Sequence, residues 1–147
     1  MRALVQRVES AKVTVDNKVK GSINEGLLIF LGIGKNDEKE DADYLVDKIL
    51  NLRIFEDDNN KMNLSAKDLQ KEILVVSQFT LYGDCNKGRR PSFNKASSPD
   101  KAEKLYEYFV SETKKSDLNI ETGEFKAMMD VELINDGPVT FWLDTDE

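Results

Sequence analysis

Ile73-Leu74-Val75-Val76 is an unbroken apolar run rich in β-branched residues, and Ser77-Gln78-Phe79-Thr80-Leu81-Tyr82 follows it directly. The run reads as a buried strand. A buried strand needs a sheet around it and something packed on that sheet, so it limits the fold more than any other stretch. If the chain stays extended, Ser77, Phe79 and Leu81 point to one face and Gln78 and Thr80 to the other. Hydroxyls and an amide at the end of such a strand are costly to bury unpaired. Either they are satisfied internally or they face a pocket, and from these residues alone both readings stand.

The remaining pattern supplies the other layers. Arg2 to Glu9 reads as a strand, and Lys12 to Val15 with Val19 to Ile23 as a hairpin across Asp16-Asn17-Lys18. Asn24-Glu25-Gly26 turns the chain into a second buried strand, Leu27 to Ile33. Asp37 with Glu40 three residues on resembles a capping box, and Ala42, Leu45, Val46, Ile49 and Leu50 follow at helical spacing. Leu52 to Phe55 and Lys61 to Leu64 read as short strands about the turn Asp57-Asp58-Asn59-Asn60. Ser98-Pro99 opens a second helix, whose apolar face is Ala102, Leu105, Tyr106, Phe109 and Val110. Asn119 to Thr122, Ala127 to Ile134 and Val139 to Asp144 read as closing strands. The order predicts a mixed α/β fold with two helices covering sheet, in one domain over residues 1–147.

Composition removes whole classes of chemistry. The chain has no histidine and a single cysteine, Cys85. Ser-His-Asp triads, Cys-His pairs, histidine-bearing zinc sites and four-cysteine zinc sites are therefore excluded. A base for any hydrolysis must be a carboxylate, a lysine, water or the substrate itself. A lone cysteine forms no internal disulfide and fits a reducing, cytoplasmic compartment. The net charge of −7 opposes general coating of DNA or RNA, which rests on neutralising phosphates, and leaves room for nucleic acid held at one basic patch. The longest apolar run, Leu27 to Leu31, is too short to span a bilayer.

Three motifs are weak. Gly32-Ile33-Gly34-Lys35 lacks the spacing of a phosphate loop, and Asn36 stands where the magnesium-binding hydroxyl belongs. Asp57 to Asn60 lacks the central glycine and distal glutamate of a calcium loop. Met128-Met129 reads as core filler. Two stretches carry more. Lys87-Gly88-Arg89-Arg90-Pro91-Ser92-Phe93-Asn94-Lys95 concentrates cations in a loop after the buried strand, either to hold phosphates or as a solvated loop. Asn135-Asp136-Gly137-Pro138-Val139-Thr140 places a rigid turn between two strands, able to fix carbonyl oxygens in place.

Ser77-Gln78-Phe79-Thr80-Leu81, Gly88-Arg89-Arg90-Pro91-Ser92-Phe93 and Asn135-Asp136-Gly137-Pro138-Val139-Thr140 together stand in the order and spacing of the D-aminoacyl-tRNA deacylases, also called D-tyrosyl-tRNA deacylases. Gln6-Arg7-Val8, Arg53-Ile54-Phe55, Lys61-Met62-Asn63-Leu64 and Phe141-Trp142-Leu143 extend the resemblance over the whole chain. It implies a compact three-layer β/β/α sandwich with barrel-like mixed sheets and two main helices. It also implies a homodimer with active sites at the subunit interface. The activity implied is hydrolysis of D-aminoacyl-tRNA, and of glycyl-tRNA mischarged on tRNA(Ala), at the acceptor end and without metal or cofactor. Ser77, Gln78, Phe79 and Thr80 would form the catalytic stretch. Gly137 and Pro138, with a cis bond, would reach into the other subunit's site and exclude L-amino acids. Phe125 and Met129 would line the pocket for the aminoacyl group or terminal adenosine.

The charge pattern adds Lys87, Arg89 and Arg90 as the grip on tRNA. Backbone N–H groups around Gln78 and Phe79, helped by Ser77, would form an oxyanion hole, and the terminal 2′-hydroxyl would move the proton. Thr80 as a covalent nucleophile is the rival mechanism. A non-catalytic RNA- or partner-binding module on the same fold, and a relative that edits an L-amino acid, are the rival functions.

Overall fold

The long strand β1, Arg2–Val15, runs unbroken through the point where the sequence suggested a division after Glu9. The structure, a computed structural model, describes residues 1–147. β1 turns through Asp16 and Asn17, both at positive φ, which suits the twist of a two-residue hairpin. It returns as β2, Lys18–Ile23. β3, Gly26–Gly32, pairs antiparallel with the first half of β1, from Val8↔Gly26 to Arg2↔Gly32. β6, Glu72–Ser77, lies parallel to β3, and β7, Ile120–Thr122, lies parallel to β6. The order β2-β1-β3-β6-β7 curls until β2 meets β7. Ser22 N–H reaches Glu121 Oε1 at 3.4 Å across that seam. β8, Asp130–Asp144, pairs along β1 on its other side and has no further neighbour. The result is a nearly closed, barrel-like mixed sheet, with a small β4–β5 hairpin (Phe55–Glu56 and Met62–Leu64) beside it.

The two faces of the sheet bury different cores, as the period of two requires. Leu27, Ile29, Leu31, Ile73 and Val75 pack under α1 (Lys39–Asn51) and α3 (Pro99–Lys114). Leu28, Leu74 and Val76 turn the other way and join Val8, Val13 and Ile23 inside the barrel. This is the expected β/β/α layering. The apolar faces anticipated for the two helices are the buried ones, with Ala102 half-buried.

Further expectations change. The α1 cap is Glu38 with Asp41, one residue later than Asp37 with Glu40. Asp37 is instead buried, where it accepts from the Met1 amino group at 2.6 Å and from Gly34 N–H at 2.5 Å. A short helix α2, Ala66–Leu69, adds a third helix, opened by a reciprocal Ser65–Asp68 capping box. The turn anticipated at 57–60 is present: Asp57 accepts from Lys61 and Asn59 N–H, contacts that hold its carboxyl below the ordinary range.

The last change matters most for function. The strand does not continue to Tyr82. It ends at Ser77, whose pairing with Leu31 is the last between β3 and β6, one residue before β3 itself stops at Gly32. Beyond that pair no neighbouring strand is present to take an extended backbone. Local bonds take over: Leu81 N–H to Gln78 O at 3.2 Å and Gly83 N–H to Thr80 O at 2.9 Å close a 3₁₀ turn over Phe79–Tyr82. The alternation of side chains anticipated past Ser77 is therefore not what the protein uses.

Gly21 sets the closure of the barrel. A Cβ at this position would strike the Thr122 carbonyl of β7 and lie 3.1 Å from Leu74 Cδ1. Gly21→Ala is expected to cost about 1–3 kcal/mol through overpacking, seen as a lower urea midpoint at unchanged slope. An unaltered midpoint would mean that β2 does not close against β7.

Candidate active site

The 3₁₀ turn forms one wall of a pocket of about 590 Å³. Ser77, Gln78, Phe79 and Thr80 stand on that wall, Phe125 and Met129 line it from the segment before β8, and Ser97, Pro99 and Ala102 line it from the start of α3. The structure thus gathers six of the residues singled out in the sequence. Tyr106 on α3 supports the far wall. Its ring centroid lies 5.7 Å from that of Phe125, and its hydroxyl donates to Val75 O at 2.8 Å. Burial pushes the Tyr106 phenol well above its ordinary value, so it remains a donor at any working pH.

Backbone donors can be assigned one by one. Gln78 N–H is spent on Leu31 O at 2.8 Å, so it does not join the oxyanion hole anticipated from the sequence. Phe79 and Thr80 N–H open the 3₁₀ turn ahead of its first internal bond, the position where helical donors lack an intrahelical acceptor. These two amides replace the Gln78–Phe79 pair as candidate oxyanion donors. The Thr80 hydroxyl meets the Gln78 side-chain amide, which donates to it. That contact gives Thr80 a donor and no base.

Lys87, Arg89 and Arg90 lie outside the pocket. They are exposed at the tip of a hairpin closed by Asp84 and Ser92, which exchange backbone bonds of 2.7 and 2.9 Å. Gly137 and Pro138 also lie outside it, exposed on β8 and joined by a cis bond. The ladder shows how they come to project. Gln6 pairs with Thr140 and Val8 with Asn135, so Arg7 alone faces the four residues Asp136 to Val139. The excess loops out.

Two residues given no individual role by the sequence reading hold this loop. Arg7 donates through Nε to Asp136 O at 3.2 Å and through Nη1 to Ile54 O at 2.8 Å, and its Nε lies 3.2 Å from Asp136 Oδ2. Asn135 accepts from Val139 N–H at 2.7 Å and donates to Thr140 Oγ1 at 3.1 Å. Arg7 had a legible signal. It occupies the inward register of Ala3 and Val5 and is buried, a cation where alternation calls for an apolar residue.

Against this geometry, the model of the D-Tyr-tRNA(Tyr) deacylase family matches residues 4–144. The chain belongs to the D-aminoacyl-tRNA deacylase family. A D-aminoacyl-tRNA deacylase of Halothermothrix orenii is 63% identical, over 100% of this chain and 99% of that protein. Its counterpart in Thermosipho africanus is 60% identical, over 99% of this chain and 97% of that protein. Among solved structures, one described as a c-Myc DNA unwinding element binding protein superposes with a TM-score of 0.93 at 42% identity, covering 99% of both chains. A second, described as a probable eukaryotic D-amino acid tRNA deacylase, shares the fold at a TM-score of 0.86 and 18% identity, covering 97% of both chains. The protein is a hydrolase of this family, and its activity is the deacylation of D-aminoacyl-tRNA. No helix is long and apolar enough to cross a membrane.

The environment of Thr80 yields a direct test. With a donor and no base beside it, Thr80→Ala is expected to lose about tenfold in kcat or less, the worth of one hydrogen bond. Removal of a true nucleophile costs about 10⁶. A loss of that order in single-turnover assays would restore Thr80 as the attacking group.

Proposed function

We propose that the chain cleaves the ester of D-aminoacyl-tRNA, and of glycyl-tRNA mischarged on tRNA(Ala), by positioning a water and the substrate's own 2′-hydroxyl against the amides of Phe79 and Thr80. The observation that carries this reading is the pair of uncommitted amides opening the 3₁₀ turn in the pocket wall. Water oxygen bonds to the ester carbonyl carbon, and the resulting oxyanion is held by the two N–H groups. Collapse breaks the bond to the ribose 3′-oxygen, and the 2′-hydroxyl passes a water proton to it. Free D-amino acid and tRNA leave. Oxyanion donors of this kind are worth about 10²–10³ in rate each, ample help for an activated ester.

Chiral selection is assigned to Gly137 and Pro138 of a second copy. Support comes from their projection on β8, whose outer edge is free along a 15-residue strand and exposes Ile134, Phe141 and Trp142. An unpaired edge of that length with apolar residues calls for a cover. Carbonyls at the projecting turn would occupy the space that an L side chain needs and leave D-amino acids and glycine unhindered. The hairpin cations Lys87, Arg89 and Arg90 would hold acceptor-end phosphates. The whole chain acts as one domain in the cytoplasm, where aminoacyl-tRNA is found.

The name of the 42%-identical structure concerns DNA. For this chain the net charge of −7 favours a local grip on one nucleic-acid end over binding along a duplex. Incubation with D-Tyr-tRNA, L-Tyr-tRNA and Gly-tRNA tests the proposal. Loss of the D-Tyr and Gly esters with L-Tyr-tRNA intact is expected. Cleavage of none would leave a binding module, and cleavage of L-Tyr-tRNA at the same rate would remove the chiral role.

A further inference from the structure

The basic hairpin is built into the pocket at both feet. Its front foot is the 3₁₀ turn, joined through the Gly83 N–H bond to Thr80 O. Its back foot is Phe93 to Ser97, where Ala96 N–H bonds to Phe93 O and Ser97 N–H to Ile33 O, each at 3.0 Å, and Ser97 lines the pocket. Between the feet, the Phe93 ring packs on the Phe79 ring at a centroid distance of 5.0 Å and an angle of 58°. Gly83 makes room for it: a Cβ there would lie 3.1 Å from Phe93 Cε1 and 3.0 Å from Thr80 O. Phe79 is 60% exposed even with this contact in place. The aromatic contact with Phe93 is thus what braces the side chain of the residue whose amide opens the turn.

We propose that Phe93 is a positioning residue that couples the basic hairpin to the 3₁₀ turn, so that phosphates held by Lys87, Arg89 and Arg90 accelerate ester cleavage as well as tighten binding. This rests on the reading of Phe79 and Thr80 as oxyanion donors. A hairpin fixed by phosphates holds Phe93, Phe93 holds Phe79, and the amides stay aimed at the carbonyl oxygen. Binding energy gained away from the reacting atoms is then spent on their orientation. Loosening the brace costs orientation rather than affinity, for which displacements of an ångström cost up to about 10² in rate.

Steady-state kinetics on D-Tyr-tRNA separate this coupling from plain packing. Phe93→Ala is expected to lower kcat by about 10–100-fold with KM little changed, and Phe93→Tyr to restore it. In the native background, Arg89→Ala with Arg90→Ala lowers kcat and raises KM. In the Phe93→Ala background the same pair raises KM alone. Melting curves identify folded variants, and Phe93→Leu takes the place of alanine in every arm if the alanine protein does not fold. An unchanged kcat in the Phe93 variant, or equal effects of the arginine pair on kcat in both backgrounds, overturns the coupling while deacylation stands. A native protein that leaves D-Tyr-tRNA intact overturns the functional reading and the coupling with it.

Discussion

Gly137→Ala is expected to lower the rate on D-Tyr-tRNA by about 10² and to erode the preference for D over L. The backbone at Gly137 has φ +137, a region that L side chains rarely adopt. A Cβ there would lie 2.6 Å from Val139 Cγ2 and 2.9 Å from Val139 N, so the turn must shift as a unit. The shift is resisted on both sides, because Arg7 holds Asp136 O and Asn135 holds Val139 N–H. A turn locked this way can act as a wall. Walls discriminate more strongly than contacts do: an extra apolar contact to a D side chain yields about 1–3 kcal/mol, whereas a clash with the L side chain adds a penalty that no repacking of a rigid loop relieves. The measurement is a pair of initial rates on D-Tyr-tRNA and L-Tyr-tRNA. A variant that folds and keeps its D/L ratio would remove Gly137 from chiral selection.

How much of this was readable beforehand depends on the residue. Buried strands and amphipathic helices announce themselves through local periodicity, so Leu27 to Ile33, α1 and α3 were legible. Ser77 to Thr80 was singled out by resemblance and does line the pocket, and its backbone was not legible. Nothing within Ser77 to Tyr82 tells that β3 stops at Gly32 and leaves the next residues without a ladder partner. That absence of a neighbour turns an expected strand into a 3₁₀ turn, and it moves the free amides from Gln78–Phe79 to Phe79–Thr80. The same limit applies at β8. Two strands around a Gly-Pro turn and one strand with a four-residue excursion have the same sequence pattern, and only the pairing with Arg7 distinguishes them. Ser65 and Asp68 are the opposite case. Their capping-box spacing was in plain view, but a helix of only four residues, Ala66–Leu69, has no periodicity to support it.

D-Tyr-tRNA ending in 2′-deoxyadenosine is expected to be cleaved about 10²–10⁴ more slowly than the ribo form, the range supplied by a positioned proton-transfer group. The argument is one of elimination followed by geometry. The chain has no histidine. The lining of the pocket offers no carboxylate and one cation, Lys126. Thr80 receives a hydrogen bond from Gln78 and faces no side-chain base. Water attack and departure of the 3′-oxygen still need a proton moved between them, and the adjacent ribose hydroxyl is the group that every substrate brings to that place. Its removal should lower kcat and leave KM nearly unchanged, because the same chain of phosphates and the same base remain to be bound. The alternative predicts a different pattern: were Lys126 the proton acceptor, the deoxy substrate would react at full rate, and Lys126→Met would abolish turnover with a ribo substrate. Comparing the two substrates on the native enzyme decides between them in a single experiment, and full activity on the deoxy form would end the substrate-assisted mechanism.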